Sequence, residues 1–294
     1  MRRVAYLTGR AYKGVAAPKG TLPALEQPTY ALIAAAARAR DIALEIAYWD
    51  DETLPQRGFD GALIRSCWDY HQRYDEFVTR IDAHARAGLR VFNSADVIRW
   101  NSRKTYLKEL GASAIETVWA ERADAASVRA AFEQLGADEI VVKPQIGAGS
   151  IETIRLKRDT WNEGDLRAGP KGPAMIQAFL KSIVSEGEHS LFWFGGAYSH
   201  AIRKAPKAGD WRANIPGETL FLAEAPPKAA REAAEQARAM APKDFLYVRI
   251  DLVLGDDGGW RVIEVEAIEP HLFLDLAPAG AEVFAGALSR VLSL

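Results

Sequence analysis

Apolar and polar positions alternate in two different rhythms along this chain. In the first third, short apolar runs are separated by helix-spaced stretches. Arg3–Leu7, Ala43–Tyr48, Gly61–Arg65 and Leu89–Phe92 read as strands, and Tyr30–Arg40 and Phe77–Ala87 as helices, with Gly88 at the position after the second. Strands alternating with helices predict a parallel sheet covered on both faces. The middle third changes character. A helix over Ser102–Leu110 is stopped by Gly111, and strands are expected at Ser113–Trp119, Glu139–Lys143 and Ile151–Leu156. Glycine and proline then crowd residues 164–173, the best linker candidate. Beyond it, strands are expected at Ala174–Leu180 and Ser190–Phe194, a helix at Lys228–Met240, and a hairpin of Tyr247–Leu254 with Trp260–Val265. The pattern predicts an α/β chain whose later part is α+β. It divides into residues 1–97 as an N-terminal parallel-sheet domain, 98–173 as a central lid subdomain and 174–294 as a C-terminal antiparallel-sheet subdomain.

Composition narrows the chemistry. The chain has 294 residues, a formal net charge of −2 and one cysteine. Near-neutral charge argues against nucleic acid as a partner, and a single cysteine excludes a disulfide scaffold. The five histidines form no metal-ligand cluster. No run of about 18–20 apolar residues suggests a membrane span, and Val4–Leu7 is too short for a signal core of about 7–15 residues. A cytoplasmic protein is therefore expected.

The hairpin holds the sharpest chemical signal. Side chains alternate across a strand, so Glu264 and Glu266 share a face with Val262, and Arg249 shares one with Asp251 and Val253. A turn of four residues, Asp256–Gly259, sets Asp251 opposite Glu264. Three facing carboxylates repel unless a cation compensates, and hard oxygen donors suit Mg²⁺; a solvated acidic face is the plainer alternative. A second signal is Lys143 at a strand end, followed by the flexible segment through Gly147, Gly149 and Ser150, which suits phosphate oxygens but equally suits a simple turn. It is neither a P-loop nor a dinucleotide fingerprint. A third is the basic stretch Arg203, Lys204, Lys207 and Arg212. A fourth is the run Arg65 to Tyr70 at the end of a predicted parallel strand, where open sheets bind ligands. There Arg65 could hold a substrate carboxylate and Asp69 an amine, or both could simply pack.

Taken in order, these motifs resemble the ATP-grasp superfamily over roughly residues 97–275, in the branch of glutathione synthetase and the ribosomal-protein glutamate ligases. The resemblance implies an ATP-grasp fold behind a Rossmann-like N-terminal domain. It implies an ATP- and Mg²⁺-dependent ligase joining a carboxylate to an amine through an acyl phosphate, on a small amino-acid- or peptide-like substrate, giving an amide or a closed ring. By the same resemblance, Lys104 and Lys143 contact phosphates and Gly147, Gly149 and Ser150 form the phosphate lid. Gln177, Phe179 and Leu180 grip adenine, and Glu188 holds ribose. Lys204, Arg212 and Asn214 serve catalysis near the γ-phosphate. Asp251, Glu264 and Glu266 hold two Mg²⁺, with Mn²⁺ able to substitute. Glutathione synthetases typically carry Asn where Glu266 stands. Arg65, Asp69, His200, Arg249 and Glu269 are weaker substrate candidates, and His271 joins them. The family leans toward homo-oligomers. A non-catalytic nucleotide-binding regulator or scaffold of the same fold is the alternative. Residues Arg65–Tyr70, Ser199–Ala201 and Glu264–Pro270 further resemble the ATP-grasp enzymes that close cycloserine.

Overall fold

The computed structural model describes residues 1–12, 15–16, 20–213, 219–222, 225–242 and 244–294. In chain order it contains β1 (Arg2–Thr8), β2 (Ala11–Tyr12), β3 (Val15–Ala16), α1 (Gln27–Arg38), β4 (Ile42–Tyr48), β5 (Gly61–Ser66), α2 (Tyr74–Arg86), β6 (Val91–Phe92) and α3 (Ala95–Ser102). A 3₁₀-type segment, Lys104–Ser113, leads to β7 (Thr117–Ala120), α4 (Ala125–Leu135), β8 (Glu139–Pro144), β9 (Ile154–Lys157), β10 (Ala174–Ala178) and α5 (Ser182–Ser185). The chain ends with β11 (Glu188–Phe194), β12 (Ala197–Ala205), β13 (Thr219–Leu222), α6 (Lys228–Met240), β14 (Tyr247–Leu254), β15 (Trp260–Glu266) and α7 (Gly280–Ser293).

Three sheets carry the molecule. The first, ordered β4-β1-β5-β6, is parallel throughout. Its strand β5 is buried at every position, as a strand covered on both faces must be. The second is antiparallel, ordered β7-β10-β8-β9. The third, also antiparallel, is ordered β13-β12-β11-β14-β15. Strand β10 joins the second sheet, so that sheet extends past the glycine- and proline-rich stretch 164–173, which contains a short 3₁₀ turn, Asp165–Ala168.

Local chemistry explains the elements. Helix α6 buries Ala230, Ala234 and Ala237, spaced four and three apart, against the third sheet. Helix α4 opens with a capping box between Asp124 and Ser127 and closes on Gly136 at φ 57°. The expected helix at 102–110 is instead 3₁₀ in character, and Gly111 breaks it at φ 52°, ψ −130°. The winding runs on to Ser113, so β7 starts four residues later than the pattern suggests.

The hairpin register pairs Asp251 with Glu264, but by an unexpected route. Leu254 pairs with Trp260 and Leu252 with Val262, leaving Ile263 as an extra residue before Glu264. That bulge turns Val262 away from the glutamates. It packs with Val265, Val248, Ile250 and Leu252 in an apolar cluster, correcting the expectation that it shares their face.

Candidate active site

One cavity of about 640 Å³ opens between the second and third sheets and the first. Its wall includes Lys104, Lys143, Gly147, Gly149, Ser150, Glu188, Arg212, Arg249, Glu264, Glu266 and Glu269. Trp68, Tyr70, His71, Asn101, Trp211 and His271 also line it; the sequence offers His271 as a substrate candidate and Trp68 and Tyr70 only as members of the Arg65–Tyr70 run. Aromatic side chains after β5 carried no spacing signal beyond the motif itself.

The acidic floor is built by the β14–β15 ribbon. Ligand oxygens of Asp251, Glu264 and Glu266 all lie within 4.8 Å of one another. Asp251 accepts from Ser190 Oγ at 2.5 Å and from Arg249 Nε at 2.9 Å, while Arg249 also pairs with Glu266. Lys204 is fully buried and pairs with Glu188, its ammonium 3.8 Å from Asp251. Burial pushes Asp251 up, yet Arg249 and Lys204 outweigh it and hold the carboxyl below its ordinary range. Glu266 goes the other way: burial, with Glu264 and Asp251 beside it, pushes it up to about 7 despite Arg249. Negative charge here exceeds what the neighbouring cations neutralise. An all-oxygen donor set in that state fits a hard divalent cation.

Lys104 joins this floor to the glycine segment. Its ammonium lies 3.0 Å from Glu264 and donates to the Gly147 carbonyl at 2.8 Å. Burial lowers its pKa, but Glu264, Glu266 and Glu269 outweigh burial and raise it. Lys143 donates to Gln177 Oε1 at 3.0 Å, and Gln177 in turn donates to Thr117 at 2.9 Å. Burial pulls the Lys143 ammonium below its ordinary range, the state of a cation short of anions. Arg212 pairs with Asp210 at 2.8 Å. Phe179 stacks under Arg155, whose guanidinium is 3.5 Å from the ring centroid, and sits edge-on to Trp211. The Phe179 amide bonds the Glu139 carbonyl at 2.9 Å and Leu180 accepts from Ile183 at 3.2 Å, so Gln177–Leu180 ties the second sheet to α5. Asn214 lies outside the described residues.

Several substrate candidates do not reach the cavity wall. Arg65 is fully buried beside Glu26 at 3.4 Å. Asp69 accepts from Trp49 Nε1 at 2.9 Å and from the Arg10 amide at 3.2 Å. His200 stacks on Phe192 with centroids 4.2 Å apart, and burial pushes its pKa down to about 4. What unites most of them is the irregular backbone after β15. Six consecutive carbonyls there meet side chains from six different positions. Ala267 accepts from Asn93 at 2.7 Å, Ile268 from Tyr247 at 2.9 Å and Glu269 from Trp68 at 3.0 Å. Pro270 accepts from Arg65 at 2.8 Å, His271 from Arg249 at 3.3 Å and Leu272 from His200 at 2.9 Å. Asn101 braces the strand end, donating to Val265 and accepting from the Ala267 amide at 2.8 Å. Buried carbonyls outside a ladder need such partners. Arg65, Arg249 and His200 hold this segment, and it carries Glu269 into the cavity.

Comparison with known proteins agrees with this arrangement. Residues 4–93 match the model of the D-cycloserine synthetase DcsG N-terminal domain. The chain is 31% identical over 278 residues to the cycloserine biosynthesis protein DcsG of Streptomyces lavendulae, covering 87% of this chain and 91% of that one. It is 26% identical to the glutathione synthetase of Ralstonia nicotianae over 77% of this chain and 69% of that one. The crystal structure of D-cycloserine synthetase DcsG superposes with a TM-score of 0.82 at 28% identity, covering 99% of both chains. With a likeness that runs through both the parallel-sheet domain and the acidic ribbon, this chain belongs to the ATP-grasp ligases, in the glutathione-synthetase-like branch that includes DcsG.

Proposed function

We propose that this ligase activates the carboxylate of a small amino-acid-like substrate with ATP and closes it onto a nitrogen of the same molecule, as the name of its DcsG relative suggests for that protein. The observation that carries the reading is the convergence of Lys104, Lys143 and Arg212 with the Glu264–Glu266 ribbon on one cavity of about 640 Å³. Cavities of roughly 300–1,000 Å³ suit small molecules.

The chemistry divides into two steps. The substrate carboxylate attacks the γ-phosphorus, ADP leaves, and an acyl phosphate forms. The nitrogen then attacks the acyl carbon and phosphate departs. Neither step needs a covalent enzyme nucleophile, so the chain's task is placement and charge balance. Lys104 and Lys143 neutralise phosphate oxygens, and the segment Gly147–Ser150 folds over them to exclude water from the acyl phosphate. Arg212 stabilises the transferring phosphoryl group. Lys204, buried between Glu188 and Asp251, sets the ribbon's charge from beneath. Asp251, Glu264 and Glu266 would hold two Mg²⁺, replaceable by Mn²⁺, which when bound would supply Lewis-acid stabilisation of the phosphates. Glu188 faces ribose, and the backbone at Phe179 and Leu180 faces adenine.

A screen of D- and L-amino acids bearing a second nitrogen, including O-aminoserine and 2,4-diaminobutyrate, tests this with Mg-ATP. The expected result is substrate-dependent ADP release and a product lighter than its substrate by one water. A product that joins two molecules would replace ring closure by intermolecular ligation. Nucleotide binding without ADP release on any acid would favour the non-catalytic alternative.

A further inference from the structure

The cavity wall carries two hydrogen-bond acceptors to which no described residue donates. His271 places Nε2 3.2 Å from the Leu25 carbonyl. A carbonyl can only accept, so Nε2 carries the hydrogen and Nδ1 presents a lone pair. That Nδ1 is buried and has no partner, although His271 lines the cavity. Burial, with Arg249 nearby, pushes the imidazole down to about 3, which keeps the ring neutral and Nδ1 an acceptor. Two residues away, Glu269 is 8% exposed and also lines the cavity. Among the described residues its carboxyl has no hydrogen-bond or ion-pair partner. Burial, with Glu266 nearby, pushes that carboxyl up to about 8, and it keeps an accepting oxygen whether or not it holds a proton. An unmatched buried acceptor costs about 1–3 kcal/mol, so His271 Nδ1 expects a donor, and Glu269 adds a second acceptor to the wall of the same cavity.

The backbone beneath them is built for a fixed seat. The carbonyls of Glu269, Pro270, His271 and Leu272 are pinned by Trp68, Arg65, Arg249 and His200 in turn. Four long-range side chains fix four consecutive peptide units, and the imidazole is fixed again through Leu25. The imidazole cannot swing away to satisfy Nδ1 elsewhere, and the backbone that bears the Glu269 side chain is fixed. Rigid placement of this kind is what orientation of a reacting group requires.

We propose that His271 Nδ1 and the Glu269 carboxyl group form the seat of the nucleophilic nitrogen, accepting hydrogen bonds from its N–H groups and aiming its lone pair at the acyl phosphate. The group the seat takes is a primary amine or an aminooxy nitrogen; a hydroxyl nucleophile would satisfy only one acceptor. This assignment rests on the ligase reading above and adds the half of the site that distinguishes nitrogen capture from acyl-phosphate formation.

Partitioning of the intermediate tests it. Wild type and variants are given Mg-ATP, the amino acid that gives ADP release in the screen, and a high concentration of hydroxylamine, which traps acyl phosphate as hydroxamate. His271→Asn places an acceptor near Nδ1 but loses the donor to Leu25, whereas His271→Gln keeps a donor near Nε2 but loses the acceptor. The seat predicts that His271→Gln and Glu269→Leu, which lacks any acceptor, raise the ratio of hydroxamate to native product by about tenfold or more, while hydroxamate formation stays near the wild-type rate. His271→Asn should restore most of the product. A ratio that stays constant in all three variants, or rescue by His271→Gln and not by His271→Asn, overturns the seat and leaves the ligase intact. No ADP and no hydroxamate from wild type with any acid overturns the ligase reading, and the seat with it.

Discussion

Two stretches of irregular backbone contribute to the cavity wall, and they are held in opposite ways. The segment 267–272 has every carbonyl met by a side chain from elsewhere in the chain. The segment Gly147–Ser150 is tied to the rest through the Lys104 ammonium on the Gly147 carbonyl and its own turn from Ile151 to Ala148 at 3.3 Å. Gly149 and Ser150 adopt φ of 61° and 59°, a conformation that costs Ser150 more than it costs glycine. The first segment must present groups at fixed positions. In the proposed reaction the second admits a nucleotide and then closes, and the tie that secures it is a lysine whose other contact is Glu264 of the acidic ribbon. The acidic ribbon and the glycine segment thus share one side chain.

The contrast can be broken at either side. The largest effect is expected at Arg65, whose loss leaves the buried Glu26 without its cation and the Pro270 carbonyl without its donor. Arg65→Met should destabilise the fold by about 3–5 kcal/mol, read by denaturant unfolding. A loss under about 1 kcal/mol would mean the pinned segment does not depend on it. Glu264→Ala removes a proposed metal ligand and the anchor of Lys104. It should cut ATP turnover by about 10²–10³-fold with little change in unfolding midpoint, and near-normal turnover would refute the acidic floor.

His200 sharpens the comparison through pH. Its folded pKa, about 4, lies below the ordinary 6.5, so the unfolded chain binds the proton first. The neutral ring's contribution is complete above about pH 6.5 and is lost as pH falls toward 4, on the order of 2–3 kcal/mol. Wild type should therefore lose more stability than His200→Gln between these values, and equal slopes would contradict a neutral buried ring. Smallest is a change in exposure. Cleavage by a non-specific protease within Gln145–Ile151 should fall several-fold when Mg-ATP is added, while 267–272 stays protected with or without it. Cleavage that is indifferent to nucleotide would leave no closing segment.

The sequence revealed these two regions unequally. The turn counted as 256–259 is 255–259 in the structure, and the bulge at Ile263 offsets that extra residue, so spacing anticipated the opposition of Asp251 and Glu264 through two departures that cancel. Lys228–Met240 was legible to the residue, because three buried alanines at helical spacing leave little choice. Lys104, Lys143 and the acidic trio were placed together only by their order along the chain, which local periodicity cannot supply. Arg65, Arg249 and His200 were read as chemically important, but as groups touching substrate. Arg65 and His200 lie off the cavity wall and Arg249 on it, and all three reach main-chain carbonyls of a segment without period, from 22 to 205 positions away. No propensity or spacing encodes such contacts, because any residue has a carbonyl. The bulge escaped for a similar reason: Ile263 looks like any other strand residue until its neighbours are paired.

That extra residue sets a rule for how this ribbon can vary. Val262 and Val265 both face the apolar cluster only because Ile263 separates their phases, while Glu264 and Glu266 face the cavity. Removing one residue between 262 and 266 would turn carboxylates into the core or valines into solvent. Length changes in this hairpin are therefore confined to the turn at 255–259, and relatives that differ in hairpin length should differ there.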